Sequence, residues 1–445
     1  MSITHPIVSD RVARTLIVLS LFIGAVSAAS AGDDTRPSGP YFGQEPPGLE
    51  AEIFARDLIS LTGRYEFAIS FAPGGKRLLF STQTGEDRTE IWYSHVIGGA
   101  WTTPETVRLS GGTCKGEMEA FFTPDGHRVF FAPFDEGLGV RIWQVEFEGN
   151  LWGEPSPLAG PIANDPAFFP TSAASGALYY TNVAERRPYR AVEDADGQWQ
   201  VEPLDIDFGG HVFVAPDESF VLVDARANDS LGDGDIYVAF ATDDGGWTTP
   251  INLGPAVNSE HSESCPSLSA DGKYLFFSRY DEPGGVAQIY WVDAQVIDDA
   301  RNRQLIEQTV HDSIAWALAK DRDRLEQIIA HDDDYFSFHP SGLDGVHGYD
   351  EFARRFKLWM DPRFEATRTD VRSFRCHLSP SRDVAWFSAI LDDCYTWDGE
   401  PGCWKDTRWT GVLEHRDDRW QIVQMHFSFA SDREQEKNRP QDSVD

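Results

Sequence analysis

His426, Arg408 and Asp392 stand on three successive apolar-alternating segments near the C-terminus and together hold the parts of a proton-transfer site. His426 or Asp392 could act as general base, Arg408 could hold an anionic group, and Trp386 or Tyr395 could shape the cavity. Strand alternation sorts their neighbours. Gln424, His426 and Ser428 share one face of the last segment, while Val423, Met425 and Phe427 share the other. Arg408 and Thr410 share a face of the preceding segment, and His339 lies on an earlier one. The polar triplet reads either as a pocket lining or as a wet outer face. In the plainer reading, Gln424 and His426 hydrogen-bond within a sheet and Arg408 meets Asp392 or Asp393. One His and two adjacent carboxylates do not specify a reaction, and a catalytic carboxylate there needs a tuned pKa.

The elements that must position these residues follow from periodicity. Leu305, Ile306, Thr309, Ile314, Ala315 and Leu318 recur at helical intervals, and a second helix is expected over 322–330. A strand over 335–339 and an amphipathic helix over 349–359 come next. Strands over 369–378, 384–395, 405–415 and 420–429 complete an α+β arrangement. Cys394 and Cys403 flank a hairpin-like loop and are the expected disulfide, with two separate thiols as the alternative. Five cysteines (Cys114, Cys265, Cys376, Cys394 and Cys403) are an odd number, so at least one stays free or pairs outside the chain.

Between residues 66 and 293 one pattern occurs five times: a tight turn followed by an apolar run. Pro124-Asp125-Gly126 leads into Val129-Phe130-Phe131, and Ala270-Asp271-Gly272 into Leu275-Phe276-Phe277. Equivalent turn residues are Gly75, Gly126, Gly176, Glu218 and Gly272. A period of roughly 40–50 residues built from short strands means a radial array of four-stranded blades, a β-propeller. The fifth repeat stops after its third strand, and the segment 51–59 can supply the fourth, which gives five blades. Six is the alternative, if residues 34–66 hide another. Trp101, Trp152, Trp199 and Trp247 each precede a proline at one place per repeat and can fill the wedges between blades. Glu66, Glu117, Glu119, Asp165, His211 and Glu263 precede the innermost strands and would gather near one mouth of the channel, either as a site or as solvated loop charge. The acidic run 228–235 lacks the twelve-residue calcium-loop spacing.

Two resemblances rest on these residues. Residues 40–297, through the turn-and-strand repeats and the opening 41–48, resemble the WD-like propeller repeats of the TolB type found in bacterial envelope proteins. That likeness implies protein or ligand binding on a rigid platform. Val384-Ala385-Trp386-Phe387-Ser388, Trp409-Thr410-Gly411-Val412-Leu413-Glu414 and Trp420–Ser428 resemble the SnoaL-like branch of the nuclear transport factor two (NTF2) superfamily. That likeness implies a cystatin-like cone with an internal pocket. Its members include isomerases, cyclases and dehydratases, and others that only bind small molecules or pair.

The expected organisation is a signal peptide over 1–31, a linker over 32–50, a propeller over 51–296, a SnoaL-like domain over 297–432 and a disordered polar tail over 433–445. Arg11 and Arg14, the apolar run 16–26 and Ala29-Ser30-Ala31 form the export signal, cleaved after Ala31, which predicts a periplasmic or secreted protein. A formal net charge of -34 argues against nucleic acid and anionic membrane as partners. No stable membrane anchor is expected. Nucleotide, zinc-protease and Gly-x-Ser-x-Gly motifs are absent, so no cofactor is expected. His339, His347 and His426 lack metal-ligand spacing, so no metal is expected either. The favoured function is an exported binding protein, with the propeller as platform and the cone holding a small molecule or pairing two copies. The alternative is an enzyme using the cone for proton transfer or hydrolysis on a small organic substrate.

Overall fold

The computed structural model describes residues 36–84, 88–135, 139–206, 209–280, 286–340 and 345–430. The expected signal peptide and the polar tail lie outside the described residues. Among the described residues no helix is long and apolar enough to cross a membrane.

Each repeat becomes an antiparallel set whose second strand carries three consecutive apolar residues: Leu78-Leu79-Phe80, Val129-Phe130-Phe131, Leu178-Tyr179-Tyr180, Val221-Leu222-Val223 and Leu275-Phe276-Phe277, all buried. Unbroken burial, rather than alternation, arises when a strand is covered on both faces. Neighbouring repeats provide that cover. Trp199 meets Phe130 of the preceding repeat edge-on at 5.8 Å, and Trp152 meets Tyr93 at 5.6 Å. Hydrogen bonds also run from repeat to repeat: Phe122 N–H to Ser70 Oγ, Phe169 N–H to Glu119 Oε2, Thr171 Oγ1 to the Val212 carbonyl, and Glu263 N–H to the Gly234 carbonyl. Ser267 Oγ of the fifth repeat donates to the Ile69 carbonyl of the first.

The last repeat is completed from the front of the chain. Glu52–Ile53 pairs antiparallel with Ala287–Asp293, setting Glu52 opposite Trp291 and Ile53 opposite Tyr290. Phe54 N–H then donates to the Ile289 carbonyl at 2.8 Å. The Phe54 ring lies 5.0 Å from Phe276 and 5.2 Å from Trp291. One nine-stranded sheet therefore contains strands of both the first and the fifth repeat.

The helix Gln295–Ala319 starts two residues after that sheet ends. Its first turns bury Val296, Ile297 and Ala300 with Leu222, Val238 and Leu275 of the repeats. Its later turns bury Ile306, Val310 and Trp316 in the C-terminal core. Asp299 accepts from Arg382 Nε at 2.6 Å, and Trp420 Nε1 donates to Asn302. One helix thus serves two cores.

The C-terminal sheet runs, in spatial order, Val346–His347, Phe336–Phe338, Arg419–Ser428, Glu400–Arg416, Val384–Trp397 and Phe364–Leu378. Its strands are longer than their apolar cores alone predict, because pairing continues into the Asp398-Gly399 turn, whose left-handed residues (φ 52° and 83°) make a tight hairpin. The helix expected over 349–359 is two short ones, Tyr349–Arg354 and Phe356–Trp359.

Phe54→Ala removes the ring that locks the front segment onto the last repeat. It should lower stability by about 3–5 kcal/mol in denaturant titration. A loss below about 1 kcal/mol would mean the closing strand contributes little.

Candidate functional site

Cross-strand register decides which C-terminal side chains can meet a ligand. Along Val384–Trp397, Phe387, Ala389, Leu391, Asp393, Tyr395 and Trp397 share the face turned to the helices. On the partner strand Glu400–Arg416 the pairing slips between Leu391 and Asp393, with Asp406 left-handed at φ 50°. This β-bulge resets the alternation. Trp404 then faces the same side as Thr407 and Trp409, and Cys403 sits opposite Cys394 on the other side, with Cα atoms 4.0 Å apart and the sulfurs bonded. Cys114, Cys265 and Cys376 are free thiols. Gly402 opposes Tyr395, where a Cβ would come within 2.6 Å of the phenol ring, so only glycine lets that ring lie flat across the strand.

The helix-covered face lines a partly open cavity of about 590 Å³. Trp397, Trp404, Met425 and Phe427 form its sheet side, while Trp316 and Trp359 cover it from the helices. Four polar side chains reach this mostly aromatic space besides Ser313: His339, Arg355, Asp393 and Tyr395. His339 stacks on Phe427 with ring centroids 5.7 Å apart, and its Nε2 is 3.4 Å from Ser337 Oγ. Burial, helped by the Arg355 charge, pulls its pKa down to about 4, so the imidazole is neutral at physiological pH. Asp393 has no hydrogen bond or ion pair among the described residues, and burial alone lifts its carboxyl to about 6.

The proton-transfer set expected from sequence does not converge there. Asp392 points to the opposite face, where Arg372 Nη2 at 2.8 Å, Arg368 Nη2 at 3.2 Å and the Asp406 N–H at 2.8 Å surround it. The Asp406 N–H and the Arg372 guanidinium hold its pKa below the usual carboxylate range. Arg408 is exposed and donates to the Phe429 carbonyl at 2.6 Å. His426 is exposed, edge-on to Phe338, with exposed Thr410 directly across the ladder. Gln424 and Ser428 share that outer face, and Trp386 is 47% exposed against His377. Of the nine expected ligand-binding residues, only His339 and Tyr395 line the cavity. The helices cover one face of the sheet, and apolar Met425 and Phe427 claim it in preference to the polar triplet. Asp393, Arg355 and Trp404 were missed. Two-residue alternation from apolar Phe387, Ala389 and Leu391 is the signal that could have placed Asp393 inside; the bulge at Asp406 hides Trp404 from such a count, and Arg355 lies between two short helices, outside any strand pattern.

The expected channel-mouth residues are not open either. Glu66, Glu117 and Glu263 occupy equivalent repeat positions and are buried. Glu66 accepts from Arg64 Nε at 2.5 Å and the Leu61 N–H, and burial raises it to about 7 against the Arg64 bond. Glu117 accepts from the Leu109 N–H at 2.6 Å, and Glu263 from Ser259 and from Arg279 Nε at 2.7 Å. Each ties an innermost strand to its connecting loop. Asp165 accepts from Tyr180 at 2.6 Å. Glu119 and His211 alone converge, at 3.6 Å. In the acidic run 228–235, Asp235 accepts from the Leu231 and Gly232 N–H groups, so its oxygens serve the loop itself.

Residues 306–432 match the SnoaL-like domain family, and this part of the chain is a SnoaL-like, NTF2-like domain. No curated protein matches the chain. Among solved structures, the N-terminal part is similar to a protein assigned as a TolB from Agrobacterium tumefaciens. The two share 17% identity over 49% of this chain and 71% of that one, with a TM-score of 0.36. The C-terminal part is similar to an NTF2-like protein from Cytophaga hutchinsonii, with 13% identity, 29% and 98% coverage and a TM-score of 0.24. It is also similar to the association domain of C. elegans CaMKII, with 18% identity, 29% and 96% coverage and a TM-score of 0.24.

The native state holds the Asp393 proton more tightly than the unfolded chain does. The stability this adds is complete below the unfolded value of 3.8 and is lost as pH rises through about 6. Asp393→Asn should therefore stabilise the protein at pH 8, by about 1–2 kcal/mol after allowance for solvent screening, and the gain should fade by pH 4. Denaturant titrations at the two pH values check this. An effect of equal size at both would show that the carboxyl is not desolvated. In NMR, the His339 ring should show no protonation shift above pH 5; a midpoint near 6.5 would contradict its burial.

Proposed function

We propose that the chain is an exported binding protein. Its repeats form a five-bladed propeller platform, and its SnoaL-like domain holds a small, largely aromatic or alicyclic molecule bearing one or two polar groups. The observation that carries this reading is the unpartnered Asp393 carboxyl in a mostly apolar, aromatic-rich cavity of ligand size. Pockets of roughly 300–1,000 Å³ with apolar walls and a few convergent polar groups are the usual form of small-molecule sites. The rings supply area at low entropy cost. Asp393, Arg355 and neutral His339 would fix the ligand's orientation by hydrogen bonds. The five turn-and-strand sets and the front-segment strand support the propeller. The charged and apolar pattern of residues 11–31 supports export to the periplasm or beyond. The outer sheet face, with Trp386 and Phe338 exposed, supports pairing of two copies through the cone.

A second reading follows from Asp393 itself. A carboxyl with a pKa near 6 exchanges protons readily at neutral pH, which suits a general acid or base acting on the bound molecule. The acid–base pair would be Asp393 and His339, which both line the cavity, not the His426–Asp392–Arg408 set.

Tryptophan fluorescence tests the cavity. An apolar aromatic probe should quench the wild-type chain at micromolar concentration, and Ala317→Phe, which fills the cavity, should weaken that binding at least tenfold. Equal binding by both would remove the cavity from the account. Asp393→Asn separates the readings: a binding site keeps its ligand with altered affinity, whereas an enzyme loses turnover while still binding.

A further inference from the structure

Three repeats send chemically different side chains to one point. Aligning the repeats places Ala68, Glu119, Phe169, His211 and Cys265 at the same position of the innermost strand. Four of them have a left-handed backbone (φ 53°, 57°, 52° and 54° for Ala68, Glu119, Phe169 and Cys265), each at a register shift. This turns the side chains toward a common centre. A carboxylate oxygen of Glu119, a ring nitrogen of His211 and Cys265 Sγ lie within 4.8 Å of one another. Glu119 and Cys265 are buried, and their surroundings include the rings of Phe67, Phe169 and Phe213.

We propose that Glu119, His211 and Cys265 bind one zinc-class divalent cation. Tetrahedral zinc with Cys, His and carboxylate ligands spaces its donor atoms roughly 3.3–3.8 Å apart, from its usual bond lengths. His211 Nε2 and Glu119 Oε1 are already 3.6 Å apart. The supporting bonds are those a metal-binding histidine needs. His211 Nδ1 lies 2.5 Å from Asp224 Oδ2, a contact that would hold a proton on Nδ1 and leave Nε2, on the side of the other two ligands, for the cation to take in place of its proton. The Asp224 Oδ1 atom also accepts from the His211 N–H at 2.6 Å. Glu119 Oε2 accepts from the Phe169 N–H at 2.7 Å, leaving Oε1 for the cation. Thiolate, imidazole and carboxylate together suit a borderline-soft cation and not calcium or magnesium. Three protein ligands leave the fourth position to water or an anion.

The full chain, reduced and stripped with a chelator, should bind one cobalt(II) per chain with a sulfur-to-cobalt charge-transfer band, and zinc should displace it. The band should vanish in Cys265→Ser and persist in Cys114→Ser and Cys376→Ser. Asp224→Asn should weaken binding by about 10–100-fold. A folded wild-type chain without the band would overturn the proposal, as would a band that survives Cys265→Ser or an unchanged affinity in Asp224→Asn. Should Cys265→Ser fail to fold, alkylation of the wild type decides. Zinc must slow modification at Cys265, mapped by peptide mass, and an unchanged rate refutes the site.

Discussion

Every side chain on the C-terminal sheet takes one of two environments, and the helices choose which. The helix Gln295–Ala319 and its successors cover one face, so the residues of that parity are enclosed and those of the other meet water. The bulge at Asp406 resets that count on the strand Glu400–Arg416. Without it, Trp404 would face outward, Cys403 would not meet Cys394, and the cavity would lose an aromatic wall. The carboxylate that matters is fixed by the same count: Asp392 joins an exposed cluster with Arg368 and Arg372, and Asp393, one residue on, stands unpartnered among rings.

The helix that covers the cavity is also anchored in the repeats. Val296, Ile297 and Ala300 are held by the repeat core, and the Asp299–Arg382 pair ties the helix start to the sheet's Ser379–Asp383 turn. The repeats are in turn completed by the front segment through Phe54. The helix start and the closing strand both pack against the fifth repeat, Val296 beside Leu275 and Phe54 beside Phe276. That makes the repeat part a structural support for the cone as well as a surface of its own.

Most of the architecture could be read from residues alone. The turns at Gly75, Gly126 and Gly272, the apolar triplets, the use of 51–59 to complete the last repeat and the helix-then-sheet order all follow from local pattern. The site was harder. Alternation says that His426 and Met425 face opposite ways but not which way is inside; that depends on which face the helices cover, a tertiary fact. Apolar Met425 and Phe427 beside buried Trp409 point to the answer once burial is weighed above chemical appeal. The Glu119–His211–Cys265 cluster carries no short motif, because its members are adjacent only through the repeat geometry. Aligning the repeats column by column would have put them together. The carboxylates Glu66, Glu117 and Glu263 resembled a charged rim because burial by connecting loops leaves no mark in the local pattern.

Carbon-13 NMR titration of the Asp393 carboxyl in the full chain tests the central claim most directly, since burial without a partner raises the pH at which a carboxyl ionises. The expected midpoint is about 6. A midpoint at the ordinary value of 3.8 would mean that Asp393 is solvated or paired, and that the cone holds no site of the kind described.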